Sequence, residues 1–484
     1  MKWRAEARMK QPGRVNPSTS NLKRSLALSS AFLVALAAVA AFHAAYLFAF
    51  CQWCIVVFLY CLFLLARVGT NRRAFYLGLG IGFAIYAPHL AFFWRIFGAA
   101  AISLWCILSI WLALFVLLGR ICLGRLGPIG WACVAPFLWT GLEYFRGELY
   151  FLRFSWLNAG YVFSNSGWLH FMAGYGVYGI GFLLMAWAAF LHSFAQFPNA
   201  VRSIHGVILA ALTILPALPA AVPKVAGSSF NVTGVQLEFP SPLAAKSALD
   251  GALKKFPQTD LFVLSEYAFD GPIPPLIRDW CKEHRKWLAA GGKDPVSPVQ
   301  YYNTVFVVQP DGGIAFQQVK CVPIQFMKDG LPARQQRLWD SPWGKLGFCI
   351  CYDAGFRRVT DELIRQGAQA LIIPTMDIVD WGKYQHELHG RIAPMRAAEY
   401  AVPVFRLCSS GISQFVLPDG RVAASVPFGV QDEFLSARLE LAAAGRLPPD
   451  RWLAPLSVAV TAGLILWLFA DFIARRLRPA PHLA

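Results

Sequence analysis

Three side chains in the second half of the chain add up to a usable chemistry: a carboxylate at Glu266, an amine at Lys320 and a thiol at Cys351. Each stands at the end of an apolar run. DLFVLSEY delivers Glu266, QQVKCVP places Lys320 after the hairpin YNTVFVVQPDGG, and KLGFCICYD carries Cys351 to the point where a strand breaks. A free thiol near neutral pH is only a few per cent thiolate, so a nucleophilic cysteine needs a base, and the oxyanion formed on attack needs a positive partner. Glu266 suits the first role and Lys320 the second. As a pair they are also tolerable in a pocket where either charge alone would be costly. The pattern describes a covalent thioester site that uses no histidine. A second thiol, Cys349, lies two residues before Cys351 and would share its strand face. A buried strand with two small apolar thiols is the competing reading.

The elements that must hold these groups begin near Asn231. Short β-rich runs (NVTGVQLEF, WLAAGG, ALIIPTMD, VPVFRLCSS, SQFVLPDGR) are separated by turn signals such as PDGG and PDGR, and helical stretches are expected over 357–366 and 384–400. Strands apolar on both faces, alternating with helices, predict a layered α/β domain with buried sheets. In such domains reactive groups gather where strands end. No internal repeat or low-complexity segment interrupts the pattern.

The rest of the chain is of another kind. With 57% hydrophobic and only 15% charged residues the protein is too apolar for a wholly water-exposed molecule. A membrane-crossing helix needs about 20 apolar residues. The uncharged stretch 26–66 is long enough for two, with His43 as the expected break, and further windows fall at 73–95, 95–120, 125–143, 175–195, 202–224 and 454–470. Eight spans are therefore expected. Basic residues cluster in the N-terminal tail (Lys2, Arg4, Arg8, Lys10, Arg14, Lys23, Arg24), in alternate loops (Arg67, Arg72, Arg73; Arg120, Arg125; Arg202) and in the C-terminal tail (Arg475, Arg476, Arg478). By the positive-inside rule both termini are cytoplasmic and the α/β domain is exported. The net charge of +17 is then a topology signal directed at anionic lipid, and no nucleic-acid partner is implied. The first apolar run is too long for a cleavable signal peptide. CQWC (residues 51–54) has redox-like spacing but is read as packing inside a span. No His/Cys/Asp cluster has local ligand spacing, so no metal is expected.

The order Glu266, Lys320, Cys351, with YNTVFVV before the lysine and CYD from the nucleophile onward, resembles the nitrilase (carbon–nitrogen hydrolase) superfamily. FSWLNAGYVFSNS, YGVYGIGFLL, RIAPMRAAEYAVPVFR and SSGISQFVLPDGRV are similar to segments of its membrane-embedded branch, the apolipoprotein N-acyltransferase family. The resemblance implies a polytopic membrane domain of eight α-helical spans with a nitrilase-like αββα sandwich between the seventh and eighth. The corresponding divisions are a cytoplasmic tail at 1–24, seven spans at 25–227, the exported catalytic domain at 228–450, and the last span with its tail at 451–484. It further implies catalysis by Glu266, Lys320 and Cys351 without a cofactor, in the bacterial inner membrane with the domain periplasmic. The partners implied are a phospholipid acyl donor, typically phosphatidylethanolamine, and a diacylglyceryl-cysteine apolipoprotein as acceptor, handled by a monomer.

The chain departs from the family pattern around this core. LSEY stands where WPE is usual, SSG where NNG is usual, and Asp353 where a glutamate is usual. The family's second glutamate after the lysine is replaced by VPIQF, which puts Gln325 or Phe326 near that position. Tyr352, Asp353, Gln325 and Phe326 are the candidate substrate contacts. Two alternatives stay open beside N-acyl transfer: the same thioester chemistry with another acceptor, as in an amidase, or a membrane scaffold carrying an inactive domain.

Overall fold

The computed structural model describes residues 26–477 apart from 197, 215–224 and 444. The basic tail at 1–24, the distal part of the 202–224 window and Arg478 lie outside the described residues.

Helices occupy the apolar windows. The first is Leu28–Leu47, which turns Ala31, Ala35 and Ala38 inward and leaves Leu28, Phe32, Leu33 and Leu36 more than half exposed. Small residues inside and large apolar residues outside reverse the pattern of a helix packed in water, and suit a helix packed in lipid. His43 does not break this helix; the break is the turn after Leu47, and CQWC sits at that turn, with Cys54 opening the helix Cys54–Leu65. Asn71–His89 approaches the helical run Ala100–Tyr144 closely. A Cβ on Gly78 or Gly82 would fall 2.6 Å from the Cα of Ala113 or Ser109, so only glycine fits there. The run Ala100–Tyr144 covers two windows, broken at Gly127 with φ at 72° ahead of Pro128. Val177–Gln196, Asn199–Ile214 and Asp450–Leu477 complete the set.

By length and composition, three described helical runs are sufficient to cross a membrane (Leu28–Leu47, Ala100–Leu149, Asp450–Leu477), or four if the bent pair around Gly176 counts as one. The count falls below the eight windows for identifiable reasons. Cys54–Leu65 has 12 residues, which at about 1.5 Å each fall short of a bilayer core. Asn71–His89 carries Arg72, Arg73 and Pro88, and two windows merge in Ala100–Tyr144.

The α/β domain is built from twelve strands. One sheet contains β1 (Val225–Gln236), β2 (Leu261–Val263), β3 (Trp287–Pro295), β4 (Tyr301–Val308), β5 (Ile314–Val319) and β12 (Glu433–Ala442), in the order β12-β1-β2-β3-β4-β5. The other contains β6 (Leu338–Ser341), β7 (Gly344–Phe348), β8 (Ala370–Thr375), β9 (Val404–Cys408), β10 (Ser413–Val416) and β11 (Val422–Val426), in the order β11-β10-β9-β8-β7-β6. β1, β2 and β3 pair in parallel, as do β7, β8 and β9, and these central strands are buried on both faces, as their unbroken apolar runs require.

The sheets meet through contacts such as Phe316 on Phe348 and Leu407 against Gly234. Helices Pro242–Lys255 and Pro275–His284 bury Leu249, Ile277 and Trp280 with one outer face, and Arg357–Arg365 buries Val359 and Leu363. This is the αββα sandwich expected. The single helix expected over 384–400 is two, Lys383–Gly390 and Ile392–Tyr400, because Pro394 has no N–H to continue the ladder.

One glycine in this frame bears directly on Glu266. A Cβ on Gly291 in β3 would lie 2.6 Å from the Glu266 Cα and 2.8 Å from Ser265 O. Gly291→Ala is expected to cost about 1–3 kcal/mol through overpacking and to displace Glu266. The check is an unfolding midpoint in detergent together with the rate of Cys351 acylation, which should fall at least tenfold; an unchanged rate would mean that the backbone accommodates the methyl without moving the carboxylate.

Candidate active site

The ends of β2, β5 and β7 converge. β2 runs on through Leu264 and Ser265 to Glu266, β5 stops one residue before Lys320, and β7 leads to a 3₁₀ turn, Cys351–Gly355, that starts on the thiol. Cys351 has φ at 51°, in the left-handed region where a β-carbon is disfavoured. Such a backbone is held only by the structure around it. Here Arg396 donates to Ala354 O at 2.8 Å and Gly355 O at 3.0 Å, and Ser155 donates to Gly355 O at 3.1 Å.

Lys320 is wholly buried, with its Nζ 2.8 Å from Glu266 Oε1 and 2.7 Å from Asp329 Oδ2. Burial works against the ammonium, but Asp329 and Glu266 outweigh it and hold its pKa well above the ordinary lysine value. Asn303 on β4 donates to both acids, at 2.6 Å to Glu266 and 3.0 Å to Asp329. Tyr267 and the Ile324 N–H complete the shell of Asp329 at 2.9 and 2.8 Å.

Met376, just past β8, links this cluster to the thiol. Its N–H donates to Glu266 Oε2 at 2.8 Å, and its carbonyl faces Cys351 Sγ at 3.7 Å. Glu266, Lys320 and Cys351 therefore line one buried site. Burial raises the Glu266 carboxyl above the usual range, with Lys320 opposing. Burial, reinforced by Glu266 and opposed by Lys320, likewise pushes the Cys351 thiol well up. The resting sulfur is thus a thiol that must hand its proton to a base. All five cysteines of this domain are free, and Cys349 is fully buried.

Asp329 is the member of this cluster that the sequence reading missed. It provides the second carboxylate on the lysine, whereas Gln325 and Phe326, placed near that position from sequence, point elsewhere. Gln325 donates to Phe151 O at 3.1 Å, and Phe326 is 69% exposed. Both line an apolar cleft between the domain and the helices, with Phe93, Phe97, Trp156 and Tyr352. Asp353 does not face this cleft. Its carboxylate accepts from the N–H groups of Cys321 (3.0 Å), Val322 (2.7 Å) and Ile350 (3.4 Å), tying the chain after Lys320 to the nucleophile turn. Burial brings its pKa to about 6 against the pull of Lys320 and those donors.

A histidine is present after all: Cys351 Sγ, an Asp377 carboxylate oxygen and a His389 ring nitrogen lie within 4.8 Å of one another. The three come from distant segments, so local spacing could not reveal them.

A two-sheet sandwich whose strand ends gather a glutamate, a lysine and a cysteine defines a protein of the nitrilase class, and the carbon–nitrogen hydrolase family model matches residues 245–448. Residues 30–190 match the apolipoprotein N-acyltransferase N-terminal domain. The chain belongs to the apolipoprotein N-acyltransferase family of the nitrilase superfamily.

Similar curated proteins include the apolipoprotein N-acyltransferase of Geobacter metallireducens, 23% identical over 76% of this chain and 82% of that protein. The enzyme of the same name from Bdellovibrio bacteriovorus is 24% identical over 36% of this chain, and the match spans only 39% of its length. Among solved structures, Saccharomyces cerevisiae Nit3 of the nitrilase superfamily is 24% identical, covering 46% of this chain and 93% of its own, with a TM-score of 0.39.

Asp329→Asn removes one of the two countercharges on Lys320 and keeps the shape of the side chain. Cys351 acylation is expected to slow at least tenfold, about 1.4 kcal/mol of barrier, in a protein that still unfolds cooperatively. Normal acylation would make Asp329 a loop anchor only.

Proposed function

We propose that this chain is a bacterial membrane N-acyltransferase that moves an acyl chain from a phospholipid, through a thioester on Cys351, to the amino terminus of a diacylglyceryl-cysteine lipoprotein. The observation that carries the reading is the buried Lys320, set between Glu266 and Asp329 and joined through Met376 to a thiol beside an apolar cleft.

In the first half-reaction Glu266 takes the Sγ proton and the sulfur attacks the ester carbonyl. Lys320 stabilises the oxyanion, and the lysophospholipid leaves with the proton from Glu266. In the second half-reaction the acceptor amine forms a C–N bond, the C–S bond breaks, and the thiol is restored. Each acyl carbonyl passes between two membrane-bound molecules, which accounts for a catalytic site tethered among apolar helices. The cleft lined by Phe93, Phe97, Phe326 and Tyr352 suits the acyl chain, with Gln325 at its rim. The eight apolar windows and the placement of arginines support eight spans, cytoplasmic termini and a periplasmic catalytic domain. Phosphatidylethanolamine as donor and a monomeric enzyme complete the reading.

The same thioester with a different acceptor is the second reading, motivated by LSEY and VPIQF beside the catalytic groups. Restoration of N-acylated lipoproteins in cells lacking their own enzyme separates the two.

With labelled phospholipid and no acceptor, the wild type and Cys349→Ala are expected to accumulate an acyl adduct detectable by mass spectrometry, and Cys351→Ala none. An adduct on Cys351→Ala would reassign the nucleophile.

A further inference from the structure

The mechanism above leaves one buried pair against the reactive sulfur unused. Asp377 follows β8, directly after the Met376 that bridges Glu266 and Cys351; His389 lies on the helix Lys383–Gly390. Both side chains are buried, and His389 Nδ1 is 2.8 Å from Asp377 Oδ1. Gln385 donates to the same oxygen at 3.2 Å, and Arg406 donates to Oδ2 at 2.6 Å. The Trp156 ring stacks on the imidazole with centroids 4.6 Å apart and planes 12° apart, which fixes its orientation.

Sulfur, carboxylate and imidazole within 4.8 Å are ligand types for a soft cation. That reading fails on charge: the Arg406 guanidinium already neutralises Asp377, and Lys320 acts electrostatically on the same sulfur. A proton relay fits better. Burial opposes the Asp377 charge, but its cationic and hydrogen-bonding neighbours hold it well below the usual carboxylate range. Burial also lowers His389, with Asp377 offsetting only part of the effect. A neutral imidazole that donates from Nδ1 to a carboxylate keeps its Nε2 lone pair available as a base.

Acyl transfer to an amine needs such a base. When the amine attacks the thioester its nitrogen becomes positive, and unless that proton leaves, the amine is expelled in preference to the thiolate. Glu266 serves as the base of the first half-reaction, and His389 offers a second basic group, with a ring nitrogen within 4.8 Å of the same sulfur. We infer that His389, oriented by Asp377 and Trp156, accepts the proton of the attacking amine in the second half-reaction and returns it to the departing Cys351 sulfur. The C–N bond forms, the C–S bond breaks, and the proton passes from nitrogen to imidazole to sulfur. This role rests on the acyl-transfer reading.

The test uses the full chain in mixed micelles with labelled phosphatidylethanolamine, followed by a diacylglyceryl-cysteine peptide. In His389→Asn, whose amide can still donate to Asp377, the Cys351 adduct is expected to form within threefold of the wild-type rate and to discharge to the peptide at least tenfold more slowly. Discharge at the wild-type rate would overturn the inference, as would an equal loss in both half-reactions, which would place His389 in thiol activation or in folding. If the asparagine variant does not fold, His389→Gln carries the same comparison, and failure of both to fold would likewise make the residue structural. A wild type that forms no adduct, or loses it only to water, removes the acyl-transfer reading itself.

Discussion

A buried ammonium dictates much of this site. Stripped of water, a lysine charge costs several kcal/mol unless opposite charges and hydrogen bonds surround it. Lys320 meets that demand with two carboxylates, Glu266 from the end of β2 and Asp329 from the loop after β5, both held by Asn303 on β4. Three segments are thereby fixed relative to one another by a single charge. The arrangement also suits the roles proposed. Glu266 can take up a proton because Asp329 remains to balance the lysine while it does so, and a lone Glu–Lys pair would have to give up its own neutrality at each turnover.

The nucleophile is fixed from the other side, by the apolar part of the molecule. Arg396 holds the carbonyls of Ala354 and Gly355 and pairs with Glu399 at 2.5 Å, whose other oxygen accepts from the Val177 N–H at 2.6 Å. Arg357, just past the nucleophile turn, donates to Tyr144 and to Asp450 O at 2.9 Å each and lies over the Tyr144 ring. Ser155 and Trp156, from the segment FSWLNAGY, touch Gly355 and His389 directly. The apolar part thus supports the active site as well as anchoring it: Ser155 holds a carbonyl of the nucleophile turn directly, while Val177 and Tyr144 brace Glu399 and Arg357 behind it.

Legibility in the sequence followed the range of the interactions. Glu266, Lys320 and Cys351 were readable because each ends a strand whose apolar run announces it, and strand ends are where an α/β domain gathers chemistry. The sandwich itself followed from the same runs. Asp329 escapes the sequence pattern because the family's position falls on VPIQF, while the loop carries its acid three residues beyond Phe326, between Lys328 and Gly330. His389 was invisible for a different reason: its contact with Cys351 spans 38 positions and depends on how the helix Lys383–Gly390 lies across the sheet ends. Helix Pro242–Lys255 was passed over although Ser241 caps it and Pro242 opens it, a start signal that local reading could have used. The turn at 48–53 carried no proline or glycine to mark it, so the break was placed at His43 instead.

On the proposed acyl-transfer reading, the raised thiol at Cys351 bears on how one site can serve two substrates. A permanently ionised sulfur would be reactive toward any electrophile, whereas a buried, protonated one becomes a nucleophile only when a base removes its proton. Reactivity is then confined to the moment when an acyl carbonyl occupies the site and can be attacked. The apolar cleft bordered by Tyr352 and Phe326 shares Ile324 and Met327 with a second hollow, which Asp329 and Met376 line. The donor and acceptor proposed both carry long chains and both react at a polar end. An apolar cleft beside a proton-handling cluster would then accept them in turn, the order that the proposed covalent intermediate requires.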